Sequence, residues 1–451
     1  MVELKGRLFK VGAIMKREYN NYELSNELIS FIDSSPSAFH CIKTITDILD
    51  AKGYTHLTEG GKWELEGGKG YYVTRNGSSV IAFVMPKGEI TGFNIAASHS
   101  DYPCFKLKDN STIQSSDFIR LNTEKYGGMI CATWLDRPLS VAGRIVVETE
   151  NGVEIKLVDV DRDLLMIPNV AIHMNRNAND GFKFNPAVDT VPLYSCKKDQ
   201  KDILDVVAEA AGVERSSILG TDLFVYNRNK GIIWGYDNEF VSSRGLDDLQ
   251  CAFANLKGLL EAEPSSAVPV MACFDNEEVG SSTKQGAAST FLFDTLRRIV
   301  LGQDEESFRR LLASSFLLSC DNAHAVHPNH PEYSDAQNKV RINAGVVIKF
   351  NASQRYTTDS VSESIVKLLC KRNDIPVQEY ANRSDIAGGS TLGGIATTKV
   401  SINSADVGLA QFAMHSCYET AGVEDTAALT ELSRVFFGTP IVANGDKIYS
   451  L

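Results

Sequence analysis

Apolar residues recur with a helical spacing early in the chain and change to a strand pattern further on. Residues 24–51 follow the helical period, and SSPS at 34–37 predicts a turn that caps a second helix starting near Phe39. From Tyr71 to Ala97, β-branched and aromatic runs alternate with NG and PKGE, which are turn signals. The pattern therefore predicts two helices followed by strands.

The rest of the chain divides into a β-like stretch and an alternating stretch. Between 103 and 239, short segments such as RIVVETENGVEIKLVDV are separated by turns, and a long amphipathic pattern occurs only near 200–212. After Gly245, helical patterns alternate with the apolar runs AVPVMACF, SFLLSC and VVIKF, with one helix expected near 288–302. Such alternation predicts a mixed, mainly parallel sheet with helices on its faces.

Chain length supports two domains rather than one. At 451 residues, the chain is longer than an ordinary single domain. We therefore predict that residues 1–102 and 240–451 form an α/β domain, and that residues 103–239 form an inserted β-rich domain. A composition of 43% hydrophobic and 23% charged residues is typical of a folded globular protein.

Charge and cysteine usage exclude several classes of protein. The net charge of −12 opposes binding to polyphosphate, so nucleic acid is an unexpected partner. Nine cysteines are scattered singly without a CxxC pair, which is typical of a reduced, cytoplasmic protein. The first residues, MVELKGRLFKVGAIMKREYN, contain no apolar signal region, and the stretch around LLASSFLLSC is too short to cross a bilayer. We expect no membrane partner.

His99 and Asp101, in NIAASHSDYP, follow a predicted strand. Residues two apart in an extended chain point to the same face, so the two side chains can meet. Asp101 could accept a hydrogen bond from the ring nitrogen that does not bind metal, as carboxylates do beside metal-binding histidines. An isolated His-x-Asp is more often a structural loop pair, so this motif alone does not decide between the two.

Glu277 and Glu278, in FDNEEVG, follow the apolar run AVPVMACF directly. Two adjacent buried carboxylates repel, and each is costly to remove from water unless a positive charge lies nearby. A divalent cation would supply that charge, and a turn at Gly280 would let one carboxylate bind it while the other acts as a general base. The alternative is an exposed acidic pair at a helix start.

Three further candidates lie near other predicted strands and helices. Asp247 precedes an apolar helix, and Asp248 is a candidate N-cap that would leave Asp247 free to point elsewhere. Asp321 follows the strand SFLLSC, and His415 lies on the apolar stretch GLAQFAMHS, where a hydrogen-bonded core histidine is the alternative. Most candidates fall at the C-terminal ends of predicted parallel strands, where open α/β sheets bind ligands.

Together these residues match the needs of a site with two metal ions. Two divalent ions about 3.5–4 Å apart, bridged by one carboxylate, need roughly five side chains and a water. The candidate set supplies two histidines and several carboxylates. Sites rich in carboxylates accept zinc, manganese or cobalt, and we expect zinc with manganese and cobalt as alternatives.

Eight stretches resemble the aspartyl aminopeptidase family of dinuclear metallopeptidases, in order and over nearly the whole chain. They are ASHSDYPCFKLK, WLDRPLSVAGR, RGLDDLQ, DNEEVGSSTKQGA, DNAHAVHPN, IKFNASQRY, GGSTLG and GLAQFAMHS. The resemblance implies that one ion is held by His99, Asp247 and Asp321 and the other by Asp247, Glu278 and His415, with Glu277 as the general base and Asp101 orienting His99. It also implies a zinc-exopeptidase-like fold, an inserted dimerisation domain and a tetrahedral dodecamer.

The same resemblance implies a substrate and a set of substrate-binding residues. The enzyme would remove N-terminal residues, chiefly Asp or Glu, from peptides. Lys349 would lie near the first side chain of the substrate, although a lysine that closes a strand is ordinarily solvated. His173 would reach the active site of a neighbouring subunit, with a surface histidine as the alternative. His327, Asp385 and Ser390 would shape the substrate pocket.

Two other readings of the sequence remain open. One is another dinuclear-zinc hydrolase, either a neutral aminopeptidase preferring Leu or Met, or an acylase or carboxypeptidase-like enzyme. The other is a catalytically silent assembly protein. Retention of Glu277 and five ligands argues against the latter, because a structural metal site has no use for a free base.

Overall fold

The structure is a computed structural model that describes residues 17–115, 117–197, 199–445 and 447–451. The predictions made on residues 1–16, including the absence of a signal region and the first part of the α/β domain, lie outside the described residues. Within the described residues, no helix is both long and apolar enough to cross a bilayer.

The helices occupy the positions that the apolar spacing predicts near the start of the chain. The first helix follows Asn20, whose side chain accepts hydrogen bonds from two backbone N–H groups, and the second follows Ser37, whose side chain accepts one from the N–H of His40. In the described residues, the α-helices are α1 Asn21–Asp33, α2 Ala38–Ala51, α3 Ile203–Ala211, α4 Leu246–Glu261, α5 Phe291–Ile299, α6 Glu305–Ala313, α7 Ser360–Arg372, α8 Leu392–Ala396 and α9 Asp425–Gly438.

The strands are shorter and more numerous than the helices. Up to Asn227 they are β1 Thr55–Leu57, β2 Gly70–Arg75, β3 Ser79–Val84, β4 Gly92–His99, β5 Cys104–Gln114, β6 Ile119–Tyr126, β7 Leu139–Thr149, β8 Gly152–Asp159, β9 Leu193–Ser195 and β10 Ile218–Asn227. Beyond it they are β11 Ile232–Trp234, β12 Phe240–Ser243, β13 Ala267–Phe274, β14 Phe316–Cys320, β15 Ala323–His324, β16 Val346–Phe350, β17 Val377–Ala381, β18 Asn403–Gly408, β19 Ala410–Phe412, β20 Glu419–Gly422, β21 Val442–Asn444 and β22 Ile448–Ser450.

The largest sheet has nine strands in the order β1-β2-β3-β13-β4-β14-β18-β16-β17. Five of its eight neighbouring pairs are parallel, including the central β13-β4-β14-β18 block, which confirms the predicted mixed, mainly parallel sheet. Its central strands are apolar on both faces because helices cover both faces. Helices α1, α2, α4, α7 and α9 pack on one face, and α5, α6 and α8 on the other.

A second sheet of six antiparallel strands has the order β8-β7-β10-β5-β6-β9 and a core of its own, against which α3 packs. All of its strands come from the stretch predicted as an inserted β-rich domain. A third sheet, β11-β12-β20-β19-β15, joins β11 from the end of that stretch to strands of the α/β part. The division into two domains stays a prediction.

Candidate metal centre

Three neighbouring parallel strands of the large sheet end at the same edge. Strand β4 ends at His99, which is in register with Phe274, the last residue of β13. Strand β14 lies on the other side of β4, and Asp321 is the residue that follows it. Because parallel strands bring their carboxyl ends together, this edge gathers His99, Asp321 and the turn after β13 that carries the adjacent glutamates.

Asp247 lies between two imidazoles at this edge. Its Oδ1 lies 3.5 Å from Nε2 of His99, and its Oδ2 lies 3.4 Å from Nε2 of His415. The same His415 nitrogen lies 3.4 Å from Oε1 of Glu278. His99, Asp247 and Glu278 each offer one ligand atom within 4.8 Å of the others, so they form a cluster that could hold a metal ion.

The donor atoms of this cluster fit a metal ion. Among the described residues, Oδ1 of Asp247 and Oε1 of Glu278 are buried and accept no hydrogen bond. Buried carboxylate oxygens without a partner are costly, and a divalent cation would satisfy both. Imidazole nitrogen and carboxylate oxygen are the ligands that zinc takes in catalytic sites. The residues present therefore suit zinc.

Asp321 contacts the buried Lys349 rather than standing free. The lysine side chain is only 2% exposed, and its Nζ donates to the backbone oxygen of Asp321 at 2.7 Å and to Oδ1 at 3.2 Å. The charge of the lysine offsets that of the Asp321 carboxylate. Lys349 therefore supports a candidate ligand, and its predicted place beside the substrate's first side chain stays a prediction.

Asp101 holds the glutamate turn as well as His99. Its Oδ1 accepts a hydrogen bond from the backbone N–H of Glu277 at 3.1 Å, and its Oδ2 accepts one from Glu278 at 3.2 Å. Nδ1 of His99 lies 3.0 Å from the Asp101 backbone oxygen and 3.5 Å from the carboxylate. The backbone oxygen is thus the nearer partner of the imidazole, and the carboxylate chiefly fixes the turn.

Two buried carboxylates that the sequence did not assign to the site brace the ligands. Asp248 does not cap α4, because the first residues of that helix are non-helical; its Oδ2 instead accepts from the backbone N–H of His99 at 3.1 Å. Glu419, at the start of β20, accepts from the N–H of Asp247 at 3.0 Å and of His415 at 2.6 Å. No signal in the local sequence distinguishes Glu419, since only the pairing of β20 brings it here.

Proximity of so many ionisable groups shifts their pKa values. Burial raises the pKa of Glu277 to about 8, a shift that His99 opposes and Asp321 reinforces. Burial and the charge of Asp247 raise the pKa of Glu278. Burial would lower the pKa of His415, but the hydrogen bond to Asp247 outweighs it and raises the value to about 9. Without a cation, protons thus reduce the repulsion within the cluster.

The pKa values of the other two ligands shift in opposite directions. Burial alone would raise the pKa of Asp247, but its contacts with His415 and His99 lower it. Burial would lower the pKa of His99, yet the carboxylates of Asp101 and Asp247, each 3.5 Å from a ring nitrogen, raise it well above its usual range. Asp247 is therefore the carboxylate that stays ionised, between two protonated imidazoles.

A cavity of about 500 Å³ lies beside the centre. His324 lines the cavity and is open to solvent on one side. Burial lowers the pKa of His324, and the charge of Asp247 is close enough to raise it in part. His327 lines the cavity, as do Arg383 and Tyr380. Of these residues, only His327 was predicted to bind substrate; His324 lies three residues before it in DNAHAVHPN.

The other predicted substrate residues are not among those that line this cavity. Gly388 and Gly389 line it, whereas Ser390 is exposed and is not among the lining residues. Asp385 is exposed and its Oδ1 lies 2.7 Å from Nε of Arg383. Its partner Arg383 lines the cavity.

His173 lies in an exposed loop of the β-rich region, between Ile172, which is 49% exposed, and Met174, which is 84% exposed. Among the described residues of this single chain, no hydrogen bond or ion pair joins His173 to the candidate centre. Its predicted role in a neighbouring subunit stays a prediction.

Known proteins resemble this chain over almost its whole length. Residues 31–437 match the family described as aminopeptidase I zinc metalloprotease (M18). A relative from Clostridium novyi, named "Probable M18 family aminopeptidase 2", is 48% identical over 417 residues, covering 90% of this chain and 96% of the relative. The solved structure of the Ape4 and Nbr1 complex contains a chain 34% identical to this one, with a TM-score of 0.90, covering 94% of this chain and 88% of that chain.

A structure described as a dodecamer is also similar to this chain. It is that of mApe1 from S. cerevisiae, which is 26% identical, with a TM-score of 0.82. The similarity covers 93% of this chain and 97% of the yeast chain.

Proposed function

The chain belongs to the M18 family of zinc metalloproteases and is an aminopeptidase, and on that premise we propose that it removes acidic N-terminal residues from peptides. The proposal extends to the catalytic residues and to the number of metal ions. The observation that carries it is the placement of Asp247 between His99 and His415, beside a turn that carries two adjacent glutamates.

We propose that two ions bind per subunit. Asp247 would bridge them, because its two carboxylate oxygens face different imidazoles, at 3.5 Å and 3.4 Å. His99 and Asp321 would complete one set of ligands, and Glu278 and His415 the other. The orphaned oxygens of Asp247 and Glu278 support this assignment. Zinc is the expected metal, with manganese and cobalt as alternatives.

Bound zinc would supply a Lewis acid that polarises the scissile carbonyl and makes the attacking water more acidic. Glu277 would take a proton from that water and return it to the leaving amine. Its backbone N–H is held by Asp101, and its pKa, raised to about 8 by burial, suits proton transfer near neutral pH. Lys349 would keep Asp321 ionised by offsetting its charge.

The lining of the cavity beside the centre supports an acidic first residue. None of the residues that line it is Asp or Glu, whereas His324, His327 and Arg383 contribute nitrogen donors. A carboxylate side chain of a substrate would meet no repulsion there and could accept charge-assisted hydrogen bonds. The cavity is also lined by Phe412 and Ile386, and these apolar side chains favour a neutral first residue as the second candidate.

We also propose a homo-oligomer, a dodecamer as in the yeast structure, working in the cytoplasm. The β-rich region exposes several large apolar side chains that contact with other subunits would cover: Val153, Ile155, Val170, Ile172 and Met174. His173 lies among them and would reach the site of a neighbour. The nine cysteines are free, which suits a reducing compartment.

A substrate panel tests the proposal. Chelator-stripped protein refilled with zinc, manganese or cobalt is given chromogenic Asp, Glu, Leu, Met and Lys substrates, beside Glu277→Gln. Glu263→Gln is the matched control, because Glu263 is exposed and follows the end of α4 opposite to Asp247. We expect Asp or Glu to be cleaved only with metal and only with Glu277 intact.

The other outcomes separate the alternatives. Preference for Leu or Met would refute the acidic specificity and leave the mechanism standing. Tight zinc binding without hydrolysis of any substrate would favour the silent assembly protein. Cleavage of acetylated or C-terminal substrates instead would indicate an acylase or a carboxypeptidase-like enzyme.

A further inference from the structure

The end of β6, a strand of the six-stranded sheet, reaches the metal centre. Its last residue, Tyr126, is half-buried, and its hydroxyl donates to Oδ2 of Asp101 at 2.6 Å. The side-chain amide of Asn276, which precedes Glu277 in the glutamate turn, donates to the same phenol oxygen at 2.8 Å. The phenol therefore accepts one hydrogen bond from Asn276 and donates one to Asp101.

The hydroxyl of Tyr126 completes the set of donors to Asp101. Oδ1 accepts from the backbone N–H of Glu277, and Oδ2 accepts from both the N–H of Glu278 and the hydroxyl. A carboxylate that accepts from three directions has a fixed rotation about its Cβ–Cγ bond. The orientation of the Asp101 carboxylate in turn helps to fix the positions of Glu277, the proposed base, and Glu278, a candidate ligand.

The two glycines after Tyr126 lie against the ligands themselves. Gly127 has a φ of 78°, and a Cβ added there would lie 3.1 Å from Cβ of Glu278. The backbone of Gly128 hydrogen-bonds the imidazole of His415, and the N–H of Ile130 donates to the His415 backbone oxygen at 3.0 Å. The short segment that follows β6 thus lies against Glu278 and His415, the two candidate ligands assigned with Asp247 to one ion.

We propose that Tyr126 is a positioning residue for the metal centre, which acts through Asp101 on the turn that carries Glu277 and Glu278. The geometry of the six-stranded sheet then helps to set metal affinity and the placement of the base. The predicted effect on the base rests on the proposed function. The predicted effect on metal affinity is independent of it. Burial and the charge of Asp101 raise the pKa of the phenol, so it remains a donor at any working pH.

A cavity on the far side of Tyr126 limits the size of the effect. It has a volume of about 340 Å³ and is lined by Tyr126, Asp101 and Asn276 among others. Water from this polar cavity can replace the lost hydroxyl in Tyr126→Phe, since a bridging water is nearly as good a donor. Such a water is not attached to β6, so the carboxylate regains a partner without regaining its fixed orientation.

Tyr126→Phe tests the proposal, with Tyr226→Phe as the matched control. Tyr226 lies in β10 of the same sheet, and its hydroxyl donates to Asp159 at 2.7 Å, so the control also loses a bond from a phenol to a carboxylate. For Tyr126→Phe we expect about a 10-fold to 100-fold fall in kcat and about a 10-fold weaker zinc affinity. KM should change by less than about threefold, because substrate binding is not altered directly.

The visible spectrum of the cobalt-loaded protein supplies a readout that does not depend on turnover. We expect its bands to shift in Tyr126→Phe and to match wild type in Tyr226→Phe. Gly127→Ala is the second variant: its added methyl presses on Glu278 while Tyr126 stays in place, and zinc affinity should fall. Zinc affinity is measured by competition with a chelating dye.

Wild-type zinc affinity and a wild-type cobalt spectrum in Tyr126→Phe would overturn the proposal, whatever Gly127→Ala shows. Equal losses in Tyr126→Phe and Tyr226→Phe would also overturn it, since the effect would then belong to the sheet in general. If the wild-type protein cleaves no aminoacyl substrate, the proposed function fails, and zinc affinity and the cobalt spectrum still decide on Tyr126.

Discussion

Binding of zinc to the metal-free protein at pH 7 should release protons. Without a cation, the candidate ligands and the base hold protons because burial and mutual repulsion raise their pKa values. Zinc takes only the deprotonated forms of imidazole and carboxylate, so its binding must displace those protons. The perturbation is therefore the addition of zinc to chelator-stripped protein.

The expected number of protons follows from four groups. The pKa of Glu277 is raised to about 8 and that of His415 to about 9, so both are mainly protonated at pH 7. The pKa values of His99 and Glu278 are also raised well above their usual ranges. Three of these are candidate ligands, and Glu277 is the proposed base. Because interacting groups share protons, we expect about two to four protons per subunit.

Isothermal titration calorimetry in two buffers of different ionisation enthalpy counts these protons. The observed heat should change in proportion to the buffer's ionisation enthalpy, with the number of protons as the slope. For each proton released, log K for zinc binding should also increase by about one for every unit rise in pH. Glu277→Gln should release about one proton fewer, whereas Glu263→Gln should match wild type. Equal heats in both buffers would refute the reasoning.

Three further predictions concern the surroundings of the ligands. Lys349→Met leaves Asp321 buried without its partner, so the metal-free variant should lose about 3–5 kcal/mol in urea unfolding; an unchanged midpoint would contradict this. Glu419→Gln places an amide N–H₂ against one of the two backbone N–H groups that Glu419 accepts from, those of Asp247 and His415. Because this disturbs the candidate ligands, competition with a chelating dye should show about 10-fold to 100-fold weaker zinc binding. Wild-type zinc affinity would contradict this prediction. In the metal-free protein, the free energy of unfolding should decrease as the pH rises from 5 to 9. His415 titrates at 6.5 unfolded and about 9 folded, and Glu277 at 4.5 and about 8, so the folded state holds the extra protons; thermal unfolding that is flat from pH 5 to 9 would contradict this.

Local pattern was enough to locate most elements of the α/β part. The turn at 34–37, the helix after Gly245 and the run AVPVMACF all carry signals that depend on a few neighbouring residues. A capping serine and an apolar period act within one helix, and they need no knowledge of the rest of the chain. The family resemblance then implied the roles of the residues that follow these strands.

Lys349 shows where local pattern fails. A lysine at the end of a strand is ordinarily solvated, and its sequence neighbours in VVIKF do not say otherwise. Only the packing of β16 near β14 places its amino group behind Asp321. Similarly, Asp248 is of a residue type that often caps helices, yet the non-helical start of α4 turns its carboxylate to the N–H of His99.

The sequence by itself determined the class of fold, the turn with two glutamates and the residue types able to bind zinc, because these depend on periodicity and on chemistry carried by single side chains. Tertiary structure alone decided which carboxylates support the ligands. Glu419 and Tyr126 come from β20 and β6, strands far apart in the chain, and their hydrogen bonds exist only after three sheets have assembled around one edge. Partners of that kind are set by long-range packing, which no short stretch of sequence encodes.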